Sequence, residues 1–122
     1  MPKVIHFELA ADDPGRAAAF YREVFGWEIV NWGGPVDYWL ATTGPDTERG
    51  INGAIQRRTP GGPATIVTIG VPSVDEALGR IRKAGGRVIR EKLPIPGVGY
   101  HAYCQDTEGT LIGILEADEK AR

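Results

Sequence analysis

The chain has 122 residues, a length that suits one domain of ordinary size, and 42% of them are apolar, enough for a core. The net charge of −2 and the scattered basic residues argue against nucleic acid or an anionic membrane as partner. No stretch approaches the roughly 20 apolar residues of a membrane span.

Met1 to Leu9 carries no charged leader or cleavage pattern, so the expectation is a cytoplasmic protein. The single cysteine, Cys104, can form neither an internal disulfide nor a cysteine-based metal site, and it reads as a small strand residue.

In chain order, Lys3 to Ala10 is rich in β-formers and reads as a strand, with Ile5, Phe7 and Leu9 on one face and Val4, His6 and Glu8 on the other. Asp13-Pro14 is an N-cap followed by proline at the first helical position. Ala17, Phe20, Tyr21, Val24 and Phe25 form an apolar stripe at helical spacing, and Gly26 ends it. Strands are expected over Trp27–Asn31, Tyr38–Thr43 and Ile51–Arg57. After Thr59-Pro60-Gly61-Gly62-Pro63 the order returns. Ala64–Val71 is a strand, and Ser73 with Glu76 forms a capping box. Val74, Ala77, Leu78 and Ile81 are the apolar stripe of a second helix that stops at Gly85-Gly86. Arg87–Arg90 is a strand, Leu93–Gly99 a loop, and Tyr100–Cys104 with Thr110–Glu116 a hairpin.

The recurrence is an internal repeat. A shift of 60 residues lays Asp46-Thr47-Glu48 on Asp106-Thr107-Glu108, Gly26 on Gly86, Gly53 on Gly113 and Ala17 on Ala77. The expected organisation is one domain over residues 1–122, with module one at about 3–57, a linker at 58–63 and module two at about 64–116. Each helix must bury its stripe on one sheet face, which leaves the opposite face for a ligand. That second face carries His6 and Glu8 in the first strand, Ile66 and Thr68 in the fifth, and Leu111, Gly113 and Leu115 in the last.

His6-Phe7-Glu8-Leu9, then Asp12-Asp13-Pro14, Arg16-Ala17, Phe20-Tyr21 and Phe25-Gly26-Trp27, resembles the opening of many glyoxalase-like and bleomycin-resistance-like proteins. Asp106-Thr107-Glu108-Gly109 resembles the turn before their final strand. The chain is thereby similar to the vicinal oxygen chelate superfamily, which also holds extradiol dioxygenases. The resemblance implies an α+β fold of two βαβββ modules forming a half-barrel, and a homodimer.

The resemblance also implies four metal-ligand positions, which fall on His6, Gly53, Ile66 and Gly113, with a slip of register able to move the second to Gln56. Only His6 brings a donor, too few for a catalytic divalent site, so no metal or other cofactor is expected. A displaced set of His6, Glu8 and His101 is the alternative. Glycine at 53 and 113 would leave a roomier pocket floor or mark bends in the sheet. Trp32, Tyr38, Trp39, Tyr100 and Tyr103 could rim the hollow. The expected ligand contacts are therefore His6, Glu8, Trp39, Gly53, Ile66, Thr68, Tyr100, His101 and Gly113. The favoured function is metal-independent binding of a small molecule. Alternatives are a metal-dependent lyase, isomerase or dioxygenase, an enzyme using His6 as acid–base, and a non-catalytic interaction module.

Overall fold

The structure, a computed structural model, describes residues 2–122. Its elements run β1 (Lys3–Ala11), α1 (Pro14–Phe25), β2 (Glu28–Asn31), β3 (Tyr38–Thr42), β4 (Gly53–Arg57), β5 (Thr65–Gly70), α2 (Val74–Lys83), β6 (Arg87–Ile95), β7 (Gly99–Gln105) and β8 (Leu111–Ala117). This is the α+β arrangement of two βαβββ modules.

Local chemistry sets both helix ends. Asp13 is extended and its carboxylate accepts the Arg16 N–H at 3.0 Å. Ser73 accepts the Glu76 N–H at 3.1 Å, and the Glu116 carboxylate takes the Val74 N–H at 3.0 Å. Each bond satisfies a donor that the first helical turn leaves without a partner. Gly26, at φ 73°, closes α1 in the left-handed region that a side chain would disfavour.

Two compact units emerge, one of His6–Ile66 and one of residues 2–5 with Val67–Arg122. In the first, β2 pairs antiparallel with β3, β3 antiparallel with β4, and β4 parallel with β1. In the second, β6 pairs antiparallel with β7, β7 antiparallel with β8, and β8 parallel with β5. The same βαβββ topology thus occurs twice.

Each helix covers one face of its sheet. Val74 and Leu78 of α2 pack with Ala102, Cys104 and Ile114. Ala18 of α1 packs with Ile29, Ala41 and Ile55. The stripe of α1 is rotated from the one the sequence suggests. Pro14 and Ala18 are buried, Ala17 and Tyr21 pack against the core, and Phe20 and Val24 are exposed. A helix this rich in apolar residues carries more than one possible stripe, and the small Ala18 allows the closer approach to the sheet.

β6 is longer than expected and continues through Leu93-Pro94-Ile95, a segment that reads as loop in sequence. It is the edge strand of its unit, and shifts of register occur at Val88/Arg90 and Arg90/Leu93. An edge strand tolerates proline because one side of its backbone needs no partner.

Candidate functional site

In the unit His6–Ile66, alternation along the strands divides the side chains. Leu9, Trp39, Ala41 and Ile55 face α1. His6, Glu8, Tyr38, Ala54 and Gln56 share the opposite face, since Glu8 pairs with Ala54, and Gln56 pairs with both Ala10 and Tyr38.

On that face three polar side chains form a chain. Tyr38 Oη donates to Glu8 Oε2 at 2.9 Å, and His6 Nε2 lies 3.0 Å from Tyr38 Oη. A phenol has one proton. With that proton on Glu8, the Tyr38 oxygen must accept from His6, which assigns the imidazole its proton at Nε2. Burial pushes His6 below its ordinary value of 6.5, while the Glu8 carboxylate pulls the other way. The desolvation is the larger effect, so His6 is neutral at neutral pH. Glu8 is only 6% exposed. Tyr38 and Gln56 also line an open cleft of about 670 Å³ with Asn31, Val36, Asp37 and Thr59.

The unit of Val67–Arg122 carries a second polar group. Arg90 Nη2 lies 2.6 Å from His101 Nδ1, and the guanidinium stacks 4.9 Å from the centre of the Tyr103 ring. Arginine has donors only, so Nδ1 accepts and Nε2 carries the ring proton of the neutral imidazole. The rings of His101 and Tyr103 meet edge to face at 4.5 Å. Thr68 and His101 are 2% and 8% exposed.

The glycine positions depart from the repeat alignment. A Cβ on Gly53 would lie 2.5 Å from the Phe7 ring and the Phe7 carbonyl oxygen, on the side where Phe7 meets Trp27. Gly53 is therefore on the α1 side, and Gln56 is on the face of His6. Strand pairing explains the slip: Thr68 pairs with Gly113 while Glu8 pairs with Ala54, so the counterpart of Gly113 is Ala54. Gly113 leaves no open floor either. Its Cβ would lie 2.8 Å from Thr68 Oγ1 and 2.9 Å from His101 Nε2, so the glycine lets these two side chains close over β8.

Two aromatic residues also change face. Trp39 packs against the α1 core and its indole N–H donates to Asp37 at 3.2 Å, whereas its neighbour Tyr38 joins His6. Tyr100 packs against the α2 core with Lys92 Nζ 5.2 Å over its ring, opposite in facing to His101. Ile66 is buried at 7% exposure. In sequence Tyr38 reads only as a rim residue, and Arg90 carries no signal of its own. The available signal was pairing, because Arg90 lies opposite Tyr103 in the register of β6 and β7. Cys104 is buried and burial raises its thiol, which suits a packing residue.

The donors present do not fit a divalent chelate. Ile66, Gly53 and Gly113 supply none, Gln56 on the face of His6 offers only a neutral amide oxygen, and the protonated Nε2 of His6 is engaged with Tyr38. His101, holding its proton at Nε2 and Arg90 at Nδ1, is a donor in this arrangement rather than a ligand. Among the described residues no group of three or more His, Cys, Asp or Glu could hold a metal ion. No helix among them is long and apolar enough to cross a membrane.

The family model described as Glyoxalase/Bleomycin resistance protein/Dioxygenase superfamily matches residues 3–114. Lactoylglutathione lyase of Salmonella typhimurium (strain LT2) is 28% identical over 130 residues, covering 98% of this chain and 96% of that protein. Among solved structures, a methylmalonyl-CoA epimerase in complex with methylmalonyl-CoA and NH4+ superposes with a TM-score of 0.71 at 18% identity, covering 99% of this chain and 98% of the other. The methylmalonyl-CoA epimerase of Mycobacterium tuberculosis gives a TM-score of 0.70 at 16% identity, with 94% and 87% covered. At these identities the structural likeness speaks for the fold alone.

Proposed function

Because the chain belongs to the Glyoxalase/Bleomycin resistance protein/Dioxygenase superfamily, we propose that it binds a small organic molecule without a chelated metal, on the face that carries His6, Glu8 and Tyr38. The observation that carries this reading is the His6–Tyr38–Glu8 chain beside a cleft of about 670 Å³. That size is within the range of small-molecule sites. A polar chain fixed in one tautomer, bordered by apolar Leu40 and Ala54, is the mixture of orienting groups and greasy wall that such sites use.

Metal analysis tests the metal-free part. Protein produced in medium supplemented with divalent metals should carry none in stoichiometric amount. A stoichiometric ion that His6→Ala abolishes would refute it. Ligand binding is read by thermal shift across a library of small organic compounds. Stabilisation lost on Tyr38→Phe supports the proposed face.

A second reading, an enzyme acting on a small molecule, draws on the full-length likeness to lactoylglutathione lyase. Turnover of a bound compound, lost on His6→Ala with binding retained, would favour it over simple binding. Both readings include a homodimer, to be checked by sedimentation.

A further inference from the structure

We propose that the ligand group meeting His6 is a neutral or cationic hydrogen-bond donor, an N–H or O–H, and that carboxylates are rejected there. The inference rests on the small-molecule reading above and specifies its chemistry.

Three observations lead to it. First, the His6 proton is committed. Tyr38 gives its hydroxyl proton to Glu8 and accepts from His6 Nε2, which leaves a lone pair at Nδ1. Among the described residues Nδ1 has no hydrogen-bond partner, and no buried side-chain nitrogen or oxygen lacks one. Nδ1 therefore reaches accessible space, where it acts as an acceptor and asks for a donor. Second, desolvation keeps the ring neutral, so His6 offers an incoming anion no positive charge. The charge beside it is that of the buried Glu8, two residues along the same strand face. Third, three arginines of this unit are engaged in contacts of their own. Arg57 is paired with Asp37 at 2.7 Å and Arg58 with Asp12 at 3.0 Å. Arg22 donates to the Ile29 carbonyl and lies 5.9 Å from the centre of the Trp39 ring, on the α1 side. A carboxylate brought to Nδ1 would meet a lone pair where it needs a donor, and part of its hydration would be lost for no hydrogen bond from His6.

The test uses the full chain with ring-¹⁵N-labelled histidine and three probes of one shape: benzamide, benzamidinium and benzoate. In the unliganded protein the His6 resonances should show a protonated Nε2 and an unprotonated Nδ1. Benzamide and benzamidinium should shift the Nδ1 resonance on titration, and benzoate should bind about tenfold or more weakly. Tyr38→Phe should release the tautomer and narrow the difference between probes. His6→Phe, a second variant, should remove it.

A proton found on Nδ1, or benzoate binding as well as benzamide at His6, overturns the inference and leaves the small-molecule reading standing. Failure of all three probes to perturb His6 overturns both.

Discussion

The two units use one topology to build polar clusters of opposite character. Each has a histidine and a tyrosine on its strands. In the first unit their charged companion is Glu8, reached through the Tyr38 hydroxyl. In the second it is Arg90, which binds the ring nitrogen directly and stacks on Tyr103. Both arrangements place the histidine proton on Nε2, for different reasons. His6 is set by an oxygen that has already given its proton away, and His101 by a partner that can only donate. A duplicated backbone therefore fixes where side chains stand, while the partner residue decides whether a site accepts or donates.

The largest effects should come from the cores that hold these clusters. Ile55 in the first unit and Leu78 in the second are both buried. Ile55→Ala and Leu78→Ala should each cost about 2–5 kcal/mol in urea denaturation. Similar losses would mark the units as equal contributors to stability. A loss below about 1 kcal/mol at one position would show that its core collapses around the change.

Breaking the clusters should cost less. Glu8→Leu removes the Glu8 acceptor of the Tyr38 hydroxyl, and Arg90→Met removes the Arg90 donor to His101 Nδ1, each worth about 1–3 kcal/mol. Glu8→Gln keeps one acceptor oxygen and nearly the same shape, and sharpens the comparison by removing the charge. The Glu8 carboxylate raises the His6 value against the larger effect of burial. Glu8→Gln should therefore lower the His6 titration further, as read by NMR.

The same group gives a pH signature with a defined sign. His6 titrates below 6.5 when folded and near 6.5 when unfolded. Between those values the unfolded chain holds more protons. The His6 contribution is thus complete above pH 6.5 and is lost as pH falls toward the folded value. His6→Asn should flatten that part of the stability–pH curve, and an unchanged slope would contradict the assigned burial effect.

Much of the fold was legible because its signals are local. Asp13-Pro14 and Ser73 start the helices, Gly26 and Gly85-Gly86 end them, and period-two segments lie between. The misplaced features all depend on pairing. Tyr-Trp-Leu-Ala-Thr in β3 is too uniformly apolar to reveal which face is inside, and only its register with Ile55 turns Trp39 toward α1 and Tyr38 toward His6. Identity aligns Gly53 with Gly113, but ladder pairing sets the counterpart at Ala54. Pro94 reads as a loop residue unless β6 is known to be an edge. His6 and Glu8 could be placed on one face from sequence. The hydroxyl that joins them comes from a strand 30 residues away.

The smallest effects concern the helix starts, where the units also differ in sign. Arg16 and Glu76 occupy the same position, three residues after the capping residues Asp13 and Ser73. The first turn of α2 holds Asp75 and Glu76, and that of α1 holds no acid. Peptide dipoles leave partial positive charge at a helix start, so Glu76 is favoured there and Arg16 is not. Arg16→Glu should stabilise the protein by about 0.3–1 kcal/mol, partly by allowing the carboxylate to reach back to the N-cap. Glu76→Arg should lose somewhat more than that, because it also replaces the Glu76–Arg80 pair, 3.3 Å apart, with two like charges one turn apart. Helix propensity barely distinguishes the two residue types, so the electrostatic contribution is isolated. Both changes should shrink together in high salt, where screening acts within about 3 Å at 1 M. A gain from Arg16→Glu that persists in high salt would assign it to the capping hydrogen bond instead of the dipole. The unequal helix starts would then reflect local bonding and not charge.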